Sequence, residues 1–486
     1  MRQVRPSSPN EIFMTNVATL DSHPDIAIIG AGSAGFSAAI KAAELGARTL
    51  LIGHGTLGGT CVNIGCVPSK TLIRATQTLH EARVASRFSG ITATATLTDW
   101  PALLAQKDDL VHTLRQAKYT DVLPEYENIT YREGLAHLTA QGISVNGDLY
   151  SPKKIVIATG ASPAIPPIPG ISNIAYLTST TALDLPQLPT SLIIIGGGVI
   201  GCELGQMFAR AGVNVTIVCR SRLLPMGEPE ISDALATYLR SEGIDVRCNV
   251  SYDSLASNNG RVELTFHSRD ALTETVTADH LLLATGRRPN TEGLGLEAVG
   301  VDFNATGGIK VDDYLCTTRP GTYAAGDVTG RDMFVYMAAY GAKLAVENAI
   351  NGDSQRYDAS AMPDVTFTDP QVATVGLTHA QAISQGIDAQ SVVLPLDKVP
   401  RALAARDTRG LFKLVADRES GRILGAHIMA PEAGESIQTA VLAIKCKLTV
   451  TQLADTIFPY LTTVEGLKLA ALGYTKDINK LSCCAG

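Results

Sequence analysis

Asp25-Ile26-Ala27-Ile28-Ile29-Gly30-Ala31-Gly32-Ser33-Ala34-Gly35 reads as an apolar strand running into a GxGxxG turn. A small-residue helix follows from Phe36 to Leu45, closed by Gly46, and Ala47 to Ile52 reads as the next strand. The motif carries meaning because it sits inside a whole βαβ unit. Its glycines let the backbone approach a pyrophosphate, and the helix start offers N–H donors and a positive dipole end. The arrangement recurs. Ser191 to Ile195 leads into Gly196-Gly197-Gly198-Val199-Ile200-Gly201, then a helix from Cys202 to Ala211, Gly212, and a strand from Val213 to Val218. Each copy has a later partner strand, Ile155 to Gly160 in the first and Leu281 to Gly286 in the second. The first copy is longer. Its extra length contains a cysteine motif and a helical stretch from about Ser69 to Glu125, as a duplication with an insertion would produce. The fold class is α/β with two Rossmann-like dinucleotide-binding domains.

Two dinucleotide sites in one chain suggest a flavin and a nicotinamide placed to pass a hydride. The second strand of the second copy runs into Cys219-Arg220-Ser221-Arg222. No acid is present there for an NAD ribose, while Arg220 and Arg222 suit a 2′-phosphate, so NADPH is expected. In the first copy the ribose acid belongs near Gly53-His54, and neither residue is acidic. The adenosine ribose of FAD must then be held otherwise, by water or by His54.

The chain of 486 residues is long enough for about three domains. Hydrophobic residues make up 45% and charged ones 18%, which fits a globular protein with substantial cores. A net charge of −7 without a long basic run argues against nucleic acid as a partner. Arg2 and Arg5 precede no apolar core of signal-peptide length, and no apolar stretch is long enough to span a bilayer. A cytoplasmic location follows, where paired cysteines are more often catalytic than structural. Residues 1–23 are polar and lack periodicity, as in a loose arm.

Cys61 and Cys66 lie in Gly58-Gly59-Thr60-Cys61-Val62-Asn63-Ile64-Gly65-Cys66-Val67-Pro68-Ser69-Lys70. Five residues of regular helix rise about 7.5 Å, more than a disulfide spans. The helix start must therefore be distorted, and Gly58, Gly59 and Gly65 permit it. Thiols near a helix N-terminus have lowered pKa values and become nucleophiles and soft-metal ligands. A structural zinc site is the rival reading, but it wants four ligands at short spacings. A second pair, Cys483-Cys484, stands near the chain end. Adjacent Cα atoms are about 3.8 Å apart, too close for a relaxed disulfide. Two neighbouring thiolates suit a soft cation better. Cys202, Cys219, Cys248, Cys316 and Cys446 read as packing residues.

The segment from Gly58 to Lys70 resembles the redox segment of the flavin disulfide reductases, the pyridine nucleotide-disulfide oxidoreductase family. Ala284-Thr285-Gly286-Arg287-Arg288-Pro289-Asn290 and Thr322-Tyr323-Ala324-Ala325-Gly326-Asp327 resemble it too, and the resemblance runs from about residue 25 to the end. It implies a homodimer with shared active sites and a C-terminal α+β dimerisation domain. The implied division is FAD-binding over 24–165 and 287–360, NADPH-binding over 166–286, and dimerisation over 361–486. It also implies that Cys66 forms a charge-transfer pair with the flavin, that Cys61 exchanges with substrate, and that Lys70 pairs with Glu203 to join the two nucleotide sites. For FAD the implied contacts are Gly30, Gly32, Ala34, Gly35, Gly59, Thr60, Lys70, Ala136, Thr159, Gly160, Arg287 and Asp327. For the nicotinamide nucleotide they are Gly196, Gly198, Val199, Ile200, Glu203, Arg220, Arg222 and Gly286. Val199 stands where several relatives place an aromatic lid.

Disulfide reductases protonate a departing thiolate with a histidine. In Phe458-Pro459-Tyr460-Leu461-Thr462-Thr463-Val464-Glu465 the matching position is Tyr460. A tyrosine with a pKa of about 10 is a poor base at neutral pH. This segment, Val399 to Ala404, Asp407-Thr408-Arg409-Gly410 and the Cys483-Cys484 ending resemble the branch of the family that reduces Hg(II) to Hg(0). The implied substrate is Hg(II) as a thiol complex, collected by Cys483 and Cys484 and passed to Cys61 and Cys66 of the other subunit, with Tyr460 lining the transfer site. Some relatives carry an N-terminal domain with a Cys-x-x-Cys loop; residues 1–24 contain no cysteine, so it is not expected. Two other readings remain open: reduction of a small disulfide of the glutathione or lipoamide type, and thiolate metal binding on a non-enzymatic flavoprotein scaffold.

Overall fold

Alternate residues of Ile26–Ile29 pack on opposite sides of one sheet, which is why this strand is apolar throughout: Ile26 and Ile28 join one core, Ala27 and Ile29 another. The computed structural model describes residues 22–270 and 272–480. They form two compact units.

The first unit comprises the described residues up to 58 together with 117–160 and 289–357. Its parallel sheet has the order Thr322–Ala324, Lys154–Ile157, Ile26–Ile29, Thr49–Gly53, Ile129–Glu133. Helices Ser33–Glu44 and Val335–Asn351 cover one face with small side chains such as Ala38, Ala42, Ala342 and Ala345. A three-stranded antiparallel sheet, Ala136–Leu138, Ile143–Val145 and Asp148–Tyr150, covers the other.

The second unit comprises 59–116, 161–288 and 358–480 of the described chain. Its parallel sheet has the order Asp245–Arg247, Asn214–Val218, Ser191–Ile195, His280–Leu283, Tyr176–Thr178. Helices Val199–Arg210 and Pro229–Ser241 pack on one face, and the antiparallel strands Ser251–Asn258, Arg261–His267 and Thr273–Ala278 on the other. The two parallel sheets thus share one plan, as the duplicated motif predicts. A separate antiparallel sheet, in the order Pro363–Thr366, Gln371–Gly376, Ile423–Ala430, Leu411–Asp417, Ala389–Pro395, packs against helices Ala433–Lys445 and Glu465–Leu472. No helix among the described residues is long and apolar enough to cross a membrane.

Two boundaries differ from the sequence reading. Both glycine-loop helices begin earlier, at Ser33 and Val199, because the loop flows directly into the first turn. The helical stretch expected over Ser69 to Glu125 is interrupted. Cys66–Arg83 ends first, and Trp100–Arg115 restarts where the Asp99 carboxylate accepts from Ala102 N–H at 2.9 Å, with Pro101 in its first turn.

Buried charges tie the second unit together. Arg210 donates to Glu242 at 2.7 Å and to Asp369 at 2.9 Å, and Arg409 pairs with Asp369 at 3.4 Å. Asp407 holds Arg409 at 2.8 Å, so the Asp407-Thr408-Arg409 segment has a packing role. Arg210 is buried, and removing it leaves two carboxylates short of a partner. Arg210→Ala is expected to cost about 3–5 kcal/mol, as for one partner lost from a buried ion network. Thermal unfolding should show a lowered midpoint for this variant, and little change for substitution of the exposed Arg418.

Candidate functional site: the Cys61 and Cys66 thiols and two glycine loops

The redox segment forms two helices with a break between them, Gly59–Ile64 and Cys66–Arg83. Gly65 makes the break, with φ −128° and ψ −111°. A Cβ there would stand 2.9 Å from the Thr60 carbonyl oxygen and 3.3 Å from Cys61 Cα, so only glycine lets the chain fold back this tightly. This is the distortion the spacing demanded. The first turn is pinned by Asn63, which donates to Gly59 O at 2.9 Å and accepts from Arg115 at 3.2 Å.

The break brings the two thiols into hydrogen-bond contact. Both are free, Cys61 half-buried and Cys66 exposed. The hydrogen bond from Cys61 lowers the Cys66 pKa to about 7, with the Lys70 ammonium helping, and the same contact and burial push Cys61 upward. Cys66 also opens an 18-residue helix, whose positive end favours a thiolate.

Lys70 stands one turn further along and donates to Glu203 at 2.7 Å. Glu203 is 3% exposed, lies in the second glycine-loop helix, and accepts also from Phe367 N–H at 2.8 Å. The Lys70 ammonium sits 4.9 Å above the Phe367 ring. Asp364 was not anticipated. Burial, then the charge of Glu203, pushes its carboxyl up to about 6, and one of its oxygens is buried without a hydrogen-bond partner. A lone carboxylate in the strand Pro363-Asp364-Val365-Thr366 was the available signal.

Both glycine loops fit a dinucleotide. A Cβ on Gly30 would meet Ala158 O at 2.2 Å, and one on Gly196 would meet Ala284 O at 2.2 Å, so each loop is pressed against its neighbouring strand. Helices Ser33–Glu44 and Val199–Arg210 lack a side-chain cap and have no acid in the first turn, which leaves their N–H groups to an anion. Nothing lies within 4 Å of a Cβ built on Gly198. Gly32 and Gly198 are the N-cap residues, Ala34 and Gly35 lie in the first turn of the first helix, and Val199 and Ile200 open the second.

In the first unit, Thr159 Oγ1 donates to Asn290 O at 2.7 Å, which fixes Thr159 and Gly160 at the end of their strand. Asp327 follows Gly326, where a Cβ would come within 3.3 Å of Ala34, so this carboxylate is carried close to the glycine-loop helix. Ala136 is buried in its antiparallel strand. At Gly53 a Cβ would meet Ala31 Cβ at 2.5 Å and the Tyr131 hydroxyl at 2.9 Å, so an acid cannot occupy this position without displacing both. His54 is exposed beside it.

In the second unit, the Arg287 guanidinium bonds the Ala161 carbonyl. Gly286 adopts φ +106° just before it. Gly59 and Thr60 lie in the first turn of the helix that carries Cys61. Arg220 is exposed at the end of its strand, whereas Arg222 donates to Pro225 O at 3.2 Å and Gly227 O at 2.7 Å. The two arginines expected for one phosphate therefore differ, since Arg222 already braces its own loop. Tyr460 is exposed, and Leu461 beside it has φ +61°. Glu465 is buried, which raises its pKa, and it accepts from the Leu461 backbone. Cys483 and Cys484 lie outside the described residues. Among the remaining cysteines Cys202 and Cys219 are buried as expected, but Cys446 is exposed at a helix end.

The profile of the pyridine nucleotide-disulphide oxidoreductase family matches residues 24–343, and that of its dimerisation domain residues 362–471. The chain belongs to this family, which makes it a flavoprotein oxidoreductase with FAD and a pyridine nucleotide as cofactors. It is 46% identical to the mercuric reductase of Lysinibacillus sphaericus, over 97% of this chain and 87% of that one. It is 47% identical to the mercuric reductase of Streptomyces lividans (95% and 98%) and 48% identical to that of Shigella flexneri (95% and 82%). Among solved structures it is similar to the HOCl-induced flavoprotein disulfide reductase RclA from Escherichia coli in its Cu(II) complex. That match has a TM-score of 0.82 and 32% identity, and covers 93% of this chain and 100% of that one.

Two outcomes follow from this geometry. Alkylation of Cys66 in the reduced protein should rise with pH through a midpoint near 7, because the thiolate exists above that value and is lost below it. In Lys70→Met the midpoint should move upward. Gly53→Glu, built to supply a ribose acid, should destabilise the first unit by about 1–3 kcal/mol through overpacking, read as a lowered thermal midpoint.

Proposed function

We propose that this chain is a mercuric reductase, converting NADPH and Hg(II) to NADP+, a proton and Hg(0). The observation that carries the proposal is the 46–48% identity to mercuric reductases of three organisms across nearly this whole chain. The site chemistry supports it. Hg(II) is soft and takes two thiolates, and the structure offers two thiols in contact, one of them already near pKa 7.

FAD, when bound, supplies the electron pair that the thiol-held ion accepts. Cys66 and Cys61 grip Hg(II) as a dithiolate, with Lys70 balancing charge while Glu203 fixes the lysine in place. Two electrons turn the ion into Hg(0), which binds thiolates weakly and departs, and both sulfurs are free for the next ion. This sequence needs no general acid. Tyr460 is therefore adequate where a disulfide reductase requires a histidine to protonate the departing thiolate. Residues 24–165 and 287–360 would hold FAD and 166–286 NADPH. Gly30, Gly32, Ala34 and Gly35 would face the FAD pyrophosphate and Asp327 its sugar-alcohol chain. Gly196, Gly198 and Arg220 would face NADPH, with the exposed Arg220 as the main 2′-phosphate contact. In a homodimer built through 361–486, Cys483 and Cys484 of one subunit would pass Hg(II) by ligand exchange to Cys61 and Cys66 of the other.

NADPH oxidation by the purified flavoprotein in excess thiol should depend on Hg(II) and should not respond to oxidised glutathione or lipoamide. Cys61→Ala and Cys66→Ala are each expected to bring Hg(II)-dependent turnover to background. The double variant Cys483→Ala, Cys484→Ala should keep turnover at high Hg(II) and lose it at low concentrations of the Hg(II)–thiol complex. A double variant as fast as the parent at low Hg(II) would remove the tail from the reaction. Brisk oxidised-glutathione reduction without a response to Hg(II) would remove the whole reading.

A further inference from the structure

Strands Asn214–Val218 and Asp245–Arg247 run parallel, with Val218 opposite Arg247. The ladder continues one step further, since Cys219 N–H donates to Arg247 O at 2.8 Å. Cys219 and Cys248 are therefore cross-strand neighbours. Adjacent strands lie about 4.8 Å apart, inside the Cα range of roughly 4.4–6.8 Å that a disulfide accepts. Their sulfurs are in contact, with Cys219 Sγ donating to Cys248 Sγ at 3.4 Å. Cys219 is buried and Cys248 half-exposed, so a small oxidant meets Cys248 first.

The pair also touches the second glycine loop. The Cβ and Sγ of Cys219 are both 3.0 Å from where a Cβ on Gly197 would stand. Cys219 Sγ lies 3.1 Å from Ser221 O, within the Arg220-Ser221-Arg222 segment. Leu224 N–H donates to Gly197 O at 2.7 Å and closes the circle of contacts. A change at Cys219 therefore reaches the loop and the arginine segment together.

We propose that Cys219 and Cys248 form a second dithiol, which hydroperoxides oxidise to a disulfide and whose closure weakens nucleotide binding at the adjoining glycine loop. The Cys248 thiolate attacks the terminal peroxide oxygen; the O–O bond breaks, a sulfenic acid forms, and hydroxide leaves to be protonated to water. The Cys219 sulfur then attacks the Cys248 sulfur. The S–S bond forms, the S–O bond breaks, and the departing hydroxide takes the Cys219 proton as water. Two thiols and hydrogen peroxide thus give one disulfide and two waters. The hydrogen bond from Cys219, with Arg240 and Leu223 N–H assisting, lowers the Cys248 pKa to about 7, so the attacking thiolate is present at neutral pH. Closing the sulfurs from 3.4 Å to about 2.05 Å moves Cys219 Sγ, which packs against Gly197.

The effect on binding rests on reading this loop as the NADPH loop; the disulfide itself does not. The full-length FAD-loaded protein is treated with a stoichiometric excess of hydrogen peroxide, enough to oxidise both the Cys61 and Cys66 pair and the Cys219 and Cys248 pair, its remaining thiols are blocked, and it is digested without reduction for mass spectrometry. In parallel the NADPH Kd is measured by fluorescence titration. The expected result is a peptide pair linked through Cys219 and Cys248, and a Kd weakened about tenfold, as for one lost charge-assisted hydrogen bond. Dithiothreitol should reverse both. Cys248→Ser should abolish the link and make the Kd indifferent to peroxide. Cys219→Ser should leave a sulfenic acid at Cys248 that dimedone traps. Absence of the linked pair, in a sample where Cys61 and Cys66 are fully oxidised, overturns the disulfide. A linked pair with unchanged Kd overturns the coupling to nucleotide. Neither outcome bears on whether Hg(II) is reduced.

Discussion

The Lys70 ammonium lies 2.7 Å from the Glu203 carboxylate, and the chemistry of the site depends on that contact. Glu203 is deeply buried and has Lys70 as its ion-pair partner, and the same ammonium places a positive centre near the Cys66 sulfur. Phe367 adds a backbone donor to the acid and a ring face to the lysine. Asp364, near this charge and without a cation of its own, is pushed toward the neutral form. The lysine thus serves a carboxylate and a thiolate, and the second carboxyl, Asp364, gives way. The pair also fastens the helix that begins at Cys66 to the helix that begins at the second glycine loop.

Tight backbone contact is the second constraint. Gly30, Gly196 and Gly65 each stand where a Cβ would strike a carbonyl oxygen or a neighbouring backbone. Two of them precede uncapped helix starts, and the third folds Cys61 back toward Cys66.

Much of this was legible in the sequence because it is local. The two βαβ units and the glycine loops are contiguous, and the five-residue spacing of Cys61 and Cys66 forced a break in the helix. What escaped is assembled from distant segments. The Arg210, Glu242, Asp369 and Arg409 cluster joins parts of the chain more than a hundred residues apart, so no local pattern announces it. Asp364 acquires its raised pKa only from burial beside Glu203. The brace on Arg222 was likewise not legible: one nitrogen of its guanidinium donates to two carbonyls of the turn that follows it. Cys219 and Cys248 read as packing residues until strand register set them side by side. The missing ribose acid was legible, and its cause was not: Ala31 and Tyr131 fill the place a side chain at residue 53 would need.

Electron destination separates this account from a disulfide reductase on the same scaffold. The decisive measurement is an anaerobic balance of NADPH consumed against elemental mercury swept into the gas phase, by the flavin-loaded protein in excess thiol. The account predicts one mercury atom released for each NADPH oxidised. NADPH consumption without mercury vapour, with the electrons recovered instead as newly reduced thiol, would contradict it.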